Sequence, residues 1–283
     1  MRHSIALGLT LVLFLSGCTE KEAIPPQDMH SGPKNMVYNY TFQGVDGSVE
    51  YTVYEGLNDY LANISRMVYC RPQCPSNESV QQRYIDEKVS DGDLSLFLAA
   101  IKKKGETREQ QALIAVNLVQ NIPYDEDAYE AGKSKDRYPY QVLYENKAVC
   151  GEKVRLLSYL LKGLGYDTSM LYYPKEKHAS LGIKCPEKYA HKNTGYCFIE
   201  TTTVAIPTYD TGDYPGTGRL VSSPQVLQLS TGDTFENMSE QWTDAREWQR
   251  IEELISKNNR VLEQTDYDEW KGLKQKYGIH TNA

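Results

Sequence analysis

Residues 148–184 read AVCGEKVRLLSYLLKGLGYDTSMLYYPKEKHASLGIK, and the fold turns on how this stretch divides. The first part has helical spacing. Val154, Leu157, Leu160, Leu161 and Leu164 recur along one face, and Gly165 stands where a helix C-cap is expected. Cys150 begins this helix or immediately precedes it. The second part alternates. Thr168–Tyr173 and His178–Lys184 are strand candidates, and Tyr196–Val204 follows as a third.

Upstream, Val37–Val53 alternates on both sides of Gly44-Val45-Asp46-Gly47. Tyr38, Tyr40 and Phe42 mirror Val49, Tyr51 and Val53, which predicts a β-hairpin. Leu57, Leu61, Ile64 and Val68 recur at helical spacing. Two further helices are predicted over Leu94–Lys104 and Thr107–Asn121, the second capped by Thr107 and burying Ala112, Ala115, Val116 and Val119. Ile122-Pro123-Tyr124 ends it. Asp125–Tyr140 is a charged loop, and the tyrosines from Tyr124 to Tyr144 form either a groove wall or ordinary half-exposed packing. Downstream, Pro207–Leu229 is Gly/Pro/Ser-rich and loop-like. Asn237-x-x-Glu240 and Thr265-x-x-Asp268 resemble capping boxes for two amphipathic helices, with Trp242 and Trp270 read as core contacts. No internal repeat is visible.

The chain has 283 residues, 40% hydrophobic and 24% charged, an ordinary globular balance that excludes bulk disorder and fibres. Its net charge of −7 argues against nucleic-acid binding, which needs a basic face. Arg2 and His3 precede an apolar run over Ile5–Leu15. That run is too short for a hydrocarbon core of ~30 Å and has the form of a secretory signal. Leu15-Ser16-Gly17-Cys18 resembles the lipobox of prokaryotic lipoproteins. The resemblance implies cleavage before Cys18, lipid on Cys18 and a membrane anchor on the extracytoplasmic face; the alternative is a plain small-residue cleavage site. The predicted organisation is a signal peptide over 1–17, a polar tether over 18–35, a hairpin and helical part over 36–121, a core over 122–235 and a helical extension over 236–283. Asn39, Asn63, Asn77 and Asn237 lie in sequons that permit glycosylation.

An exported chain permits disulfides. Of six cysteines, Cys18 is taken by lipid. Cys70 and Cys74 close a short loop, and Cys185 and Cys197 flank a polar one. Cys150 is left as a free thiol, which in an exported protein is either reactive or buried and inert. Zinc is a poor rival, because no second pair has close C-x-x-C or H-x-H spacing.

A helix N-terminus carries about half a positive charge and so favours thiolate over thiol. The thiolate needs a partner to take and return a proton. His178 is the one histidine in a strand candidate after the cysteine helix; His191 falls in the loop between Cys185 and Cys197. Glu200 can hold the imidazole in the correct tautomer. Strand parity puts His178 and Glu200 on one face. Yet if Cys185 stands opposite Cys197, Glu200 stands opposite Gly182, about 13 Å along the strand from His178. A register nearer to His178 opposite Glu200 is therefore expected, with regular pairing ending before Cys185 and the disulfide stapling an irregular loop.

These motifs together resemble the transglutaminase-like superfamily of papain-like thiol enzymes, and most of all its prokaryotic, often archaeal, cell-surface members. The likeness covers about eighty residues. It is carried by Ile122-Pro123-Tyr124, Tyr138-Pro139, Cys150-Gly151-Glu152, Leu156-Leu157, Leu160-Leu161, Leu164-Gly165-Tyr166-Asp167, His178-Ala179 and Glu200-Thr201-Thr202. Ala148-Val149-Cys150 departs from the usual Gly-Asp-Cys. The resemblance implies an α+β core with the cysteine helix packed on an antiparallel sheet, and a Cys150–His178–Glu200 triad. It implies thiolate attack on an amide carbonyl of a protein or peptide at the cell surface, then transfer of the acyl group to water or to an amine. The oxyanion would be met by the Cys150 N–H, with Gln141 as a further candidate donor. No metal or cofactor is expected. The alternatives are a degenerate domain kept as a binding or structural module, and, more weakly, a disulfide oxidoreductase using Cys70 and Cys74, whose spacing is looser than a redox C-x-x-C.

Overall fold

The computed structural model describes residues 29–132, 135–214 and 217–280. The signal segment, Cys18 and the tether as far as residue 28 lie outside the described residues. The end of the expected tether is strand instead: β1 (Pro33–Phe42) pairs antiparallel with β2 (Val45–Tyr54). The turn is tighter than the sequence suggests. Gln43 and Gly44 both take positive φ, so a two-residue turn closes the hairpin and Val45–Gly47 belong to β2. Gly47 stands opposite Tyr40, and the end of the tyrosine ring occupies the space a Cβ at residue 47 would take.

Helix α1 (Glu55–Asn63) stops before Ile64, whose backbone is extended, so the expected continuation to Val68 does not form and Val68 is exposed. Helix α2 (Asn77–Ile85), which the apolar spacing did not announce, starts from a Ser76 cap. Then come α3 (Asp91–Lys102) and α4 (Arg108–Asn121). Thr107 caps α4 as expected and forms a capping box with Gln110. The charged loop holds two short helices, α5 (Glu126–Glu130) and α6 (Pro139–Glu145).

Helix α7 (Cys150–Gly163) begins on the cysteine itself. Leu164 is its C-cap and Gly165 follows with φ +88°, the left-handed turn that favours glycine. The main sheet is antiparallel, in the order β5 (Tyr196–Ile199), β4 (His178–Lys184), β3 (Thr168–Tyr173), β8 (Gln225–Ser230). Strand β8 lies in the stretch expected to be loop. A small β6 (Asp213–Tyr214) and β7 (Gly218–Arg219) pair precedes it.

Helix α7 packs on β3, β4 and β8, with Leu156, Leu157, Leu160 and Leu161 against Met170, Leu181 and Ile183. The protein is thus α+β, with a helix packed on an antiparallel sheet. Leu171, Tyr173, Phe198, Tyr214 and Leu220 form a second cluster. Two C-terminal helices close the chain, α8 (Ser239–Lys257) and α9 (Gln264–Tyr277). They begin at caps Met238 and Glu263, so neither expected capping box forms. Trp248 is buried and stacks on Trp270, whereas Trp242 is 36% exposed. No helix among the described residues is long and apolar enough to cross a membrane.

Candidate active site

The register between β4 and β5 decides where the acid falls. Ile183 stands opposite Cys197 and Leu181 opposite Ile199, two residues away from the pairing that would set Cys185 opposite Cys197. Glu200, the next residue, therefore falls level with Ser180 and diagonal to His178. A diagonal neighbour is within reach of long side chains. His178 Nε2 lies 2.9 Å from Glu200 Oε2. Regular pairing ends at Lys184, before Cys185, as expected. The Cys185–Cys197 disulfide then closes a loop of two short 3₁₀ turns, and Cys70–Cys74 is also bonded. Cys150 is a free thiol, half-buried.

His178 shares a strand face with Tyr173 and Phe198, while Ala179, Leu181 and Ile183 belong to the core around the α7 leucines. As the first residue of β4 it still meets the N-terminus of α7, where the Cys150 thiol is its hydrogen-bonding neighbour. A carboxylate only accepts, so Nε2 carries the proton toward Glu200 and Nδ1 is left for the thiol proton. The Thr217 hydroxyl lies 3.3 Å from that Nδ1, and the Tyr214 ring stacks parallel to the imidazole at 6.2 Å. Burial alone would depress the imidazole. Glu200 and the thiol outweigh it and push His178 up to about 10.

Glu200 is 1% exposed, and its carboxylate is held on both oxygens. Oε1 accepts from Thr201 N–H at 2.9 Å, Thr202 N–H at 2.8 Å and Thr202 Oγ1 at 2.7 Å; Oε2 faces His178. Burial opposes ionisation, yet the imidazole and the Thr202 donors bring its carboxyl below the usual range. The Glu200-Thr201-Thr202 motif thus has a physical role: the main chain folds back to donate to the side chain that precedes it.

Two residues sit differently from what the sequence suggests. Gln141 is committed to the start of α6. Its Oε1 accepts from Tyr138 N–H at 3.2 Å and Arg66 Nη2 at 2.8 Å, and its Nε2 donates to Asn58 O at 3.5 Å. None of these hydrogen bonds is to Cys150 or His178. The group that does reach the thiol is Tyr124. Its hydroxyl accepts from the Cys150 N–H, and burial followed by the neighbouring Cys150, Tyr129 and Glu126 raises it well above the usual phenol range. Main-chain bonds from Asp125 N–H to Ala148 O (3.1 Å) and from Ala148 N–H to Pro123 O (3.2 Å) pin this tyrosine beside the nucleophile. The signal for it was the helix-ending Ile122-Pro123-Tyr124, which spacing alone gave no chemical meaning.

Glu152, in the first turn of α7, ties down the backbone before Cys150. Its Oε2 accepts from Val149 N–H at 3.1 Å and from Arg137 Nη1 at 2.7 Å, and its Oε1 accepts from Arg137 N–H at 3.1 Å. Arg137, 1% exposed, also reaches Asp125 and Glu145, so the loop before α6, α6 itself and the start of α7 are tied into one buried ionic knot. Among the described residues no group of three or more His, Cys, Asp or Glu side chains is arranged to hold a metal. No family model, no curated protein and no solved structure matches this chain.

Proposed function

We propose that this protein is a transglutaminase-like thiol enzyme, with a papain-like core, that cleaves or transfers an amide acyl group through Cys150, His178 and Glu200. The observation that carries the reading is a buried His178–Glu200 pair at 2.9 Å whose remaining nitrogen faces a free, half-buried thiol at a helix N-terminus. The Cys150 thiolate attacks the carbonyl carbon. The imidazolium gives its proton to the leaving amine, and a thioester remains. Water or a second amine, deprotonated by the imidazole, then displaces the sulfur. The oxyanion takes over the Cys150 N–H from Tyr124, whose hydroxyl is then free to donate to the same oxygen. The substrate is a protein or peptide at the cell surface, reached from a lipid anchor at Cys18.

A second reading, an inactive surface module, is favoured by one feature. The groups the reaction needs are already engaged, Nδ1 by Thr217 at 3.3 Å and the Cys150 N–H by Tyr124. The two readings separate in one experiment. The chain is incubated with a glutamine-containing peptide and a fluorescent primary amine, and both amine incorporation and ammonia release are followed. The thiol-enzyme reading expects one or both, and a thioester adduct on Cys150 by intact mass; Cys150→Ala abolishes all three. Amine incorporation assigns transfer, and ammonia release alone assigns hydrolysis. No turnover and no adduct across a panel of glutamine, asparagine and peptide-bond substrates would favour the inactive module.

A further inference from the structure

One turn beyond Cys150, on the same side of α7, lies Lys153. Its side chain is fully buried. Its Nζ donates to Ile122 O at 2.6 Å and to Gln120 O at 3.2 Å, the carbonyls at the end of α4. Helix α4 has no basic residue in its own last turn, so this ammonium supplies the positive charge that a helix C-terminus favours. Gln120 also reaches the acid: its Nε2 donates to Glu200 O at 2.9 Å and to Ala205 O at 3.0 Å. The end of α4 therefore holds, at one junction, the lysine behind the thiol and the main chain of the orienting carboxylate.

A buried lysine is usually neutralised by a hydrogen-bonded carboxylate. Among the described residues no carboxylate is hydrogen-bonded to Lys153; the acid that acts on it across space is Glu200. Burial pushes Lys153 down to about 7, with Glu200 opposing. The other titratable groups around the site are already assigned. Tyr124 and His178 face the thiol, Tyr214 covers the imidazole, and Glu126 and Tyr129 act on Tyr124. Glu152, the residue before Lys153, is turned to Arg137 and its partners Asp125 and Glu145.

We propose that Lys153 is a positioning residue of the thiol site, whose buried ammonium, fixed on the α4 carbonyls, balances Glu200 and couples the ionisation of Cys150 to its own proton. This rests on the thiol-enzyme reading. With Lys153 protonated, thiolate, imidazolium, carboxylate and ammonium sum to zero charge. With Lys153 neutral, the same site carries one uncompensated negative charge in a low-dielectric interior, and the thiolate is the member that gives way.

The test is the pH profile of Cys150 alkylation by iodoacetamide in the full chain. Lys153→Met should raise the pH of half-maximal alkylation by about one unit or more, and Lys153→Arg should keep it near wild type. A purely structural lysine predicts superposable profiles with a lowered melting temperature, and that result overturns the proposal. Should Lys153→Met not fold, the coupling is read from the other side. The Lys153 ammonium is titrated by NMR of labelled lysine in wild type, Cys150→Ala and Glu200→Gln. Linkage is reciprocal, so removing either negative partner must move the Lys153 midpoint down. A midpoint unmoved in both variants overturns the proposal. A midpoint that moves in Glu200→Gln while wild-type Cys150 reacts no faster than free cysteine supports the Lys153–Glu200 balance and refutes the thiol-enzyme reading instead.

Discussion

His178 and His191 are built alike. Both are buried, and each has one ring nitrogen on a carboxylate: His178 on Glu200 at 2.9 Å, His191 on Asp210 at 2.7 Å. Both lie near the same tyrosine ring, that of Tyr173. They differ in what the second nitrogen meets. For His191 it is the Tyr173 hydroxyl at 2.9 Å, and Arg246 neutralises Asp210 from the far side at 3.2 Å. That chain is closed: each polar group is spent on another member of the chain. For His178 it is the Thr217 hydroxyl at a longer 3.3 Å, with a free thiol of some exposure also neighbouring the ring, and the carboxylate behind it acts across space on a lysine that can lose its proton. A carboxylate–imidazole pair is therefore a packing device by itself. It becomes a reaction site where its open end faces a group that can ionise and be reached.

The sharpest way to break this comparison is to delete each ring in turn. His178→Ala should slow iodoacetamide alkylation of Cys150 by about 100-fold or more near neutral pH, within the range for losing a positioned proton acceptor. His191→Ala should change that rate by less than about threefold while lowering the melting temperature, because it takes away the partner of the Tyr173 hydroxyl and of one Asp210 oxygen. Intact-mass time courses give both rates. Equal slowing in the two variants would erase the distinction between the histidines.

The sequence separated these histidines for a partly wrong reason. His178 stood out because Ala179, Leu181 and Ile183 alternate with it, and that alternation is the real β4 pattern. His191 was set aside as a loop residue. It is in the loop, but the Cys185–Cys197 bond folds that loop onto the sheet and buries the ring. Nothing local in Lys-Tyr-Ala-His-Lys-Asn announces a contact made nineteen residues later with Asp210. The same limit applies elsewhere. The parity of His178 and Glu200 was legible because it follows from strand geometry, and so was the direction of the register shift away from Cys185 opposite Cys197; its size, two residues rather than the four that would set His178 opposite Glu200, was not. Thr107 at a helix start was legible because capping is local. Helix α2 and strand β8 were not: α2 begins at a weakly apolar Asn77-Glu78-Ser79, and β8 is an edge strand whose Gln225 and Val226 stay exposed. Nor was the place of Gln141 legible, whose amide is used where it stands, in the cap of α6.

Proton linkage gives a second test with a defined sign. The folded protein raises His178 from an ordinary value near 6.5 to about 10. A group raised in the folded state contributes its full stability below the unfolded value and loses it as pH climbs through the folded one. His178 should therefore stabilise the fold up to about pH 6.5 and lose that contribution, on the order of a few kcal/mol, by about pH 10. Lys153, depressed to about 7, runs the other way: its contribution rises with pH between about 7 and its ordinary value near 10.5. Wild type alone would show the two partly cancelled. The informative quantity is the difference in urea midpoint between wild type and His178→Gln, which should shrink steadily from pH 6.5 to 10. A constant difference over that window would mean that the imidazole is not charged in the fold.

The smallest expected effect sharpens the comparison most. Tyr173 lies near both imidazoles, and of the two its hydroxyl is hydrogen-bonded to His191, at 2.9 Å. Tyr173→Phe keeps the ring that packs with Leu171, Phe198 and Tyr214 and removes only that oxygen. Stability should fall by about 1 kcal/mol, the net worth of a buried hydrogen bond, as read from the urea midpoint. The alkylation rate of Cys150 and its pH profile should not move, because the thiol meets the other histidine. If the profile did shift, proton coupling would run from His191 through Tyr173 to His178, and the closed chain would be an extension of the site rather than its inert twin.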